Sequence, residues 1–329
     1  MINNFCTLFD SGYLLKGLAL YRSLIDQCTS DFHLYIFAFD DSCLRILKSM
    51  NLPKVTVISM LEFEDKELLN VKPTRTRAEY CWTCSSSTIL YCIEKYKLEN
   101  CTYLDADLYF FKAPEIILNE LGKGSVLITR HNYAKKYDQS KISGKYCVQF
   151  VYFRNDLNGM KVLSWWRNSC LRWCFDRREN GKFGDQKYLD NWTSQFKGVH
   201  VLENLGGGLA PWNTINFDIK ESEKKIVLFE KKMKKKYELV FFHFHGIRFF
   251  KFGTLFTFAS TKNYVYELEK NAVRIIYKKY FKTILKEYKR SPQYKEVLNR
   301  NFFGFKDYVS NNLYNWGYKV KCLFKKWMI

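Results

Sequence analysis

The chain has 329 residues, 47% of them apolar and 18% aromatic. That composition excludes disorder as a global description and suits one large domain, or a domain with an extension. Net charge is +20, and it is unevenly spread: residues 1–218 carry 27 basic and 24 acidic side chains, net +3, whereas residues 219–329 carry 26 and 9, net +17. Such a tail favours an anionic partner: nucleic acid, an acidic lipid surface or a phosphorylated substrate. No run of about eighteen apolar residues occurs, which excludes an ordinary membrane-spanning helix. Residues 1–12 lack a basic start followed by an apolar run, so no secretory signal is read there and a cytoplasmic place is expected. The 11 cysteines are scattered and read as small buried hydrophobes of a reducing compartment. Cys81 and Cys84 have redox spacing, and Cys170 and Cys174 lie on one helix face, but neither pair has a second ligand pair or a nearby histidine.

The first half alternates strands and helices. Asn4–Phe9 reads as a buried strand, and Tyr13–Asp26 as a helix with leucines at helical spacing. Phe32–Phe39 is a second strand. Asp40-Asp41-Ser42 offers an N-cap before a helix at Leu44–Met50. Val55–Ile58 is a third strand, Arg77–Tyr96 a long helix and Cys101–Leu104 a fourth strand. This rhythm predicts an α/β fold, a mostly parallel sheet with helices on both faces, whose ligands sit at the carboxyl ends of the strands. Further on, Ser125–Thr129 and Tyr146–Phe153 read as strands and Met160–Asp176 as a helix. Residues 204–217 form a Gly/Pro loop, 219–236 a lysine-dense stretch ending in an exposed tip, and Leu239–His245 a late strand. From Asn271 the pattern is helical and basic, with Val273, Ile276, Tyr277, Tyr280, Phe281, Ile284, Leu285 and Tyr288 on one face and lysines on the other. Residues 319–329 repeat that pattern briefly.

Chemistry is expected just after the strands. Asp105 and Asp107 follow the fourth strand; in extended chain, residues two apart point the same way, so both carboxylates face one point. Carboxylates held that close repel unless a cation lies between them, and oxygen ligation suits Mg²⁺ or Mn²⁺ on a diphosphate. The alternative is a solvated turn or a helix cap. His243-Phe244-His245-Gly246-Ile247-Arg248 ends the late strand: a histidine added to two aspartates shifts preference toward Mn²⁺, and Arg248 suits phosphate oxygens. Gly184-Asp185-Gln186 opens a helix, read either as an N-cap or as contacts to sugar hydroxyls. Arg77, starting the long helix, could meet a nucleotide phosphate or ribose.

In this order, Phe9-Asp10-Ser11-Gly12-Tyr13, the arginine-led helix, Tyr103-Leu104-Asp105-Ala106-Asp107, Gly184-Asp185-Gln186, Pro211-Trp212-Asn213 and His243-Phe244-His245-Gly246-Ile247-Arg248 resemble the GT-A nucleotide-sugar glycosyltransferases. The likeness is to the glycogenin and lipopolysaccharide galactosyltransferase group and to bacterial glycosyltransferases of surface-polysaccharide loci. It spans roughly residues 3–255 and implies a GT-A catalytic domain over residues 1–260 with a basic helical C-terminal extension over 261–329. It further implies a metal-dependent hexosyltransferase that moves a sugar from a nucleotide-diphosphate donor, a UDP-sugar, to a saccharide or lipid-linked acceptor of lipopolysaccharide, O-antigen or capsule, with retention. Asp105, Asp107 and His243 would hold Mn²⁺ (or Mg²⁺), and Arg248 would touch the diphosphate. Asp10 and Tyr13 would meet the base, Arg77 the phosphate or donor sugar, and Asp185 and Gln186 the transferred sugar. The chain departs from the family where Asn-Ala/Ser-Gly becomes Cys147-Val148-Gln149-Phe150, and where the usual lysine becomes Arg248.

The basic tail predicts peripheral attachment to the inner face of the cytoplasmic membrane, each Lys or Arg near an anionic leaflet being worth about 1 kcal/mol. The competing picture is a helix docked on the domain with a solvated basic face. Two other functions fit parts of the chain. Nucleic-acid binding by the tail is disfavoured by a nearly neutral body, and no nucleic acid is expected as partner. Another metal-dependent nucleotide enzyme, such as a nucleotidyltransferase, is the second; the absence of a Walker-type loop argues only against an ATPase.

Overall fold

A computed structural model describes residues 2–223, 225–259 and 266–310. The first nine strands are β1 (Asn3–Phe9), β2 (Phe32–Ala38), β3 (Val55–Ser59), β4 (Asn100–Leu104), β5 (Leu108–Phe110), β6 (Val126–Arg130), β7 (Tyr146–Arg154), β8 (Val199–Val201) and β9 (Gly207–Leu209). The rest are β10 (Phe217–Ser222), β11 (Lys225–Glu230), β12 (Lys236–Glu238), β13 (Phe241–His243), β14 (Arg248–Phe252), β15 (Leu255–Ala259) and β16 (Phe302–Phe303).

The central sheet runs β3-β2-β1-β4-β7-β6-β8. Its first four strands are parallel, β7 is antiparallel to both β4 and β6, and β8 pairs parallel with β6. The strands of the first half and the Arg77–Tyr96 helix thus fall where the sequence pattern places them. Near-continuous apolar runs make the parallel strands, because both faces of that sheet are covered. Cores lie on its two sides. One gathers the Leu14–Gln27 helix and the C-terminal helix; the other gathers the Arg77–Tyr96 and Leu157–Arg172 helices. Helix starts are set by local hydrogen bonds. Asp40 Oδ1 accepts from Cys43 N at 2.7 Å, Asp156 Oδ1 from Gly159 N at 2.8 Å, and Thr76 with Glu79 forms a capping box.

Close approach of the Leu14–Gln27 helix to β1 depends on Gly17. A Cβ there would lie 2.3 Å from the Phe9 ring. Helix propensity alone favours alanine by about 1 kcal/mol. Overpacking costs about 1–3 kcal/mol, so Gly17→Ala is expected to lower unfolding free energy in urea. A stabilised variant would show that Phe9 moves aside at no cost.

The lysine-dense stretch is a three-stranded antiparallel meander, β10-β11-β12, with its turn at residues 231–233. The late strand is shorter than its apolar run suggests. Only Phe241–His243 pair, antiparallel to β5 and parallel to β9, and Gly246 then turns the chain at φ 70°. The phenylalanine run beyond it forms the β14–β15 hairpin, with β16 added in parallel from near the C-terminus. The basic helix begins as a π-turn at Ala272–Tyr277 and continues as Lys278–Arg290. Its apolar face turns to the body, burying Tyr280, Ile284 and Tyr288, and Glu287 is buried between Arg22 and Arg290, each 3.2 Å away. The second basic segment, 319–329, lies outside the described residues.

Candidate functional site

The candidate site lies at the carboxyl ends of β1, β2 and β4. After β1, Asp10 Oδ1 accepts from Gly12 N (2.9 Å) and Tyr13 N (3.2 Å), which shapes the turn into the first helix. Asp40, after β2, accepts from Ser11 N at 3.0 Å and Ser11 Oγ at 2.8 Å while capping its own helix. Arg77 Nη2 sits 2.7 Å from Asp10 Oδ2 and 3.4 Å from Asp40 Oδ2. The expected phosphate-seeking Arg77 is therefore paired with two carboxylates and ties three elements together.

The two aspartates after β4 converge, but through a turn rather than the pleat of an extended strand. Asp105 N donates to Gln149 O at 3.0 Å, and Leu108 N donates to Asp105 O at 3.1 Å, so the chain reverses between β4 and β5. Phe244 N donates to Asp107 O at 2.9 Å, which fixes that turn against the end of β13. His243 Nε2 lies 3.1 Å from Asp107 Oδ1 and 3.6 Å from Asp105 Oδ2, and ligand atoms of the three residues fall within 4.8 Å of one another. Among the described residues, the other such group is Cys6, Cys92 and Cys101, fully buried in the core.

Gln149, which stands where the family motif differs, holds His243 in place. The imidazole Nδ1 donates to Gln149 Oε1 (2.8 Å), and Gln149 Nε2 donates to Thr129 Oγ1 (3.1 Å). That leaves Nε2 facing the carboxylates, the usual arrangement behind a histidine ligand. Gly208, at φ 109°, makes room: a Cβ there would come 3.1 Å from Gln149 Nε2. Trp212 packs its ring edge-on to His243 and His245, at 5.4 and 5.5 Å between centroids. Its Nε1 donates to His131 O at 2.8 Å, and Asn213 Nδ2 donates to the same oxygen at 3.0 Å. Two oxygen donors and one nitrogen donor fit Mn²⁺ or Mg²⁺.

Burial raises Asp105 to about 6, against the pull of His243. Burial acts the same way on Asp107, yet the adjacent His243 charge wins and holds that carboxyl below the usual range. Burial opposes charge on His243, but the Asp107 carboxylate overrides it and raises the imidazole well above its ordinary value. His243 thus carries a proton at neutral pH when no cation is bound. A cation at Nε2 must displace that proton, so its affinity rises with pH and levels off above the raised His243 pKa. Below about 6, protonation of Asp105 adds a second step. The expected result is up to about tenfold tighter Mn²⁺ binding per pH unit above about pH 6, and a steeper rise below it, measured by titration calorimetry between acidic and alkaline buffers. A flat profile would contradict the assignment.

Asp185 precedes the Gln186–Asn191 turn but makes no side-chain cap there. The aspartate is buried. Burial and then the Asp105 charge push its carboxyl up to about 7, although Ser85 hydrogen-bonds it. After burial, the charges of Asp105, Asp10 and Asp185 together push the Cys81 thiol upward. Gln186 is half-buried at the same end. Cys84 is also raised by burial, which suits a core thiol.

Beside the cluster lies a cavity of about 330 Å³ lined by Tyr13, Lys16, His245, Arg248 and Arg300. Lys16 is buried, and its charge reaches Asp107 and His245. Of these lining residues, Tyr13 and Arg248 are candidates from the sequence; Lys16 and Arg300 are not, nor is Gln149 behind His243. Lys16 did leave a trace, as a charged residue inside a leucine-rich helical face. The other two left none, because their partners are distant in the chain.

The sheet order and the helices on both of its faces are those of the GT-A fold. The structure of the galactosyltransferase LgtC in complex with donor and acceptor sugar analogues aligns at TM-score 0.52 and 10% identity, covering 87% of this chain and 99% of LgtC. No family model matches. YfnF of Bacillus subtilis (strain 168), itself uncharacterised, is 30% identical over 256 residues, covering 75% of this chain and 82% of YfnF. The uncharacterised YfnD of the same organism is 29% identical over 289 residues, covering 84% of this chain and 87% of YfnD. The chain belongs to the family of YfnF.

Proposed function

We propose that the protein is a metal-dependent glycosyltransferase. It takes a sugar from a nucleotide-diphosphate donor, a UDP-sugar, and passes it to a saccharide or lipid-linked acceptor in surface-polysaccharide synthesis, with retention of configuration. The observation that carries this reading is the convergence of Asp105, Asp107 and His243 within 4.8 Å at the ligand-binding end of a GT-A sheet.

These three residues would hold Mn²⁺ or Mg²⁺, which when bound supplies positive charge against the leaving diphosphate, a contribution of several kcal/mol. Gln149 orients the imidazole and keeps Nε2 directed at the carboxylates. Arg248 donates to phosphate oxygens. Asp10 and Tyr13 form the turn that meets the base, and Arg77, held by Asp10 and Asp40, keeps that turn in register. Asp185 and Gln186 line the sugar side. In a retaining transfer the leaving phosphate takes the acceptor proton and Asp185 lines the opposite face of the sugar; an inverting transfer would instead use Asp185 as the base at the acceptor hydroxyl.

The test is a panel of nucleotide sugars screened by thermal shift with and without Mn²⁺. At least one UDP-sugar is expected to stabilise the protein only with metal present. If no nucleotide sugar does so under either condition, the reading fails.

Membrane association belongs to the same proposal. No helix among the described residues is long and apolar enough to cross a membrane. The apolar face of Lys278–Arg290 is spent on the body, whereas Lys278, Lys279, Lys282, Lys286 and Lys289 are exposed. Attachment through this helix is therefore electrostatic. Flotation with acidic liposomes is expected at low salt and lost near 0.5 M, where the screening length is about 4 Å. Flotation indifferent to both salt and lipid charge would remove this part.

A further inference from the structure

We infer that Arg300, carried on the segment that follows the C-terminal helix, is a phosphate ligand, so that this segment forms one wall of the donor pocket. The inference rests on the glycosyltransferase reading and deepens it. The cavity beside the metal-ligand cluster has two walls. One comes from the turn after β1 and from the β13–β14 connection, with Lys16, His245 and Arg248. The other comes from Arg300, Asn301 and Phe303. The second wall lies 286 to 290 residues from its partners after β1, yet the two are locked together.

Asn301 makes the lock. Its buried side chain accepts from Leu15 N at 3.1 Å through Oδ1 and donates to Ser11 O at 2.9 Å through Nδ2. Ser11 belongs to the turn that presents Asp10 and Tyr13, and Leu15 to the first turn of the helix that carries Lys16. β16 adds in parallel to β14, pairing Phe302 with Phe249 and Phe303 with Phe250. Lys251 Nζ donates to Asn299 Oδ1 at 3.0 Å and reaches Tyr288 Oη at 2.9 Å, which pins the residue before Arg300. The Arg248 guanidinium lies over the Phe303 ring, 4.4 Å from its centroid.

Arg300 itself is exposed and opens into the cavity from this anchored backbone. Three cations, Lys16, Arg248 and Arg300, line the space, and among the described residues no carboxylate does. The carboxylate whose charge acts on the Arg248 guanidinium is that of Asp307, outside the lining. Beside a site that would hold a divalent ion, a cavity lined by three cations suits a diphosphate rather than a neutral sugar. Asn301 is a positioning residue in this scheme and Arg300 a binding one.

The probe is inorganic pyrophosphate with Mg²⁺, alongside UDP and uridine, titrated calorimetrically into the full chain. Arg300→Ala is expected to weaken pyrophosphate and UDP by about tenfold and to leave Mg²⁺ affinity unchanged, the usual loss for a hydrogen bond to a charged group. Arg300→Lys should recover part of it. Uridine, lacking phosphate, should respond to neither change. If wild type binds pyrophosphate and UDP, and Arg300→Ala binds both equally well, the inference is overturned and the glycosyltransferase reading stands. If wild type binds neither with metal present, both fall.

Discussion

Asparagine in place of Asp107 is expected to lower sugar transfer by about a thousandfold or more while the protein stays folded. The substitution keeps shape and one oxygen donor, so packing around β5 and β13 is undisturbed. It removes a full negative charge from the cation's ligand set. It also releases His243, whose raised pKa depends on that carboxylate once burial is overcome. A cation bound there would stabilise the leaving diphosphate of the proposed reaction by several kcal/mol, and about 4 kcal/mol corresponds to roughly three orders of magnitude in rate. Turnover with the best nucleotide sugar from the panel, at fixed Mn²⁺, is the measurement, and the melting temperature without metal is the control. A variant with near-normal, metal-dependent turnover would show that these groups do not serve the leaving group.

Gln149→Leu should follow with a smaller but large effect, a weakening of Mn²⁺ affinity by about 10–100-fold. Leucine cannot accept from His243 Nδ1, so the ring loses the bond that aims Nε2 at Asp105 and Asp107. It also removes the donor to the Thr129 hydroxyl, which keeps only its own bond to Cys147 O. Gln149→Glu separates orientation from simple packing. Glutamate accepts the same imidazole proton, and its charge makes the ring a stronger base, so metal affinity should recover. If leucine and glutamate behave alike by calorimetry, Gln149 is a packing residue and the orienting role is wrong.

Much of this site was open to inspection before the fold. Asp105 and Asp107 follow an apolar strand, and His243 ends another; a parallel sheet collects such ends at one edge. Strand alternation alone does not account for the two aspartates, however. Alternation along an extended strand suggested that both carboxylates point one way, but the chain there turns, with Leu108 N bonded to Asp105 O. Convergence comes from that reversal and from Phe244 N on Asp107 O, a contact between residues far apart in sequence. Arg77 shows the same limit. Its charge and place at a helix start fit a phosphate, but only the packed structure brings Asp10 and Asp40 to it.

The basic tail illustrates the opposite balance. Its amphipathic period was legible, since lysines and aromatics alternate at helical spacing, but the period does not say what the aromatic face meets. A membrane surface and the protein body compete for the same apolar side chains, and the body wins for Tyr280, Ile284 and Tyr288 because a leucine-rich helix lies beside them.

Local order therefore decided the strands, the helices, their caps and the residue types available at each strand end, because those follow from hydrophobic period and short-range hydrogen bonds. The partners of Arg77, the support of His243 by Gln149 and the entry of Arg300 into the cavity were decided by packing, because each joins residues that no local pattern relates.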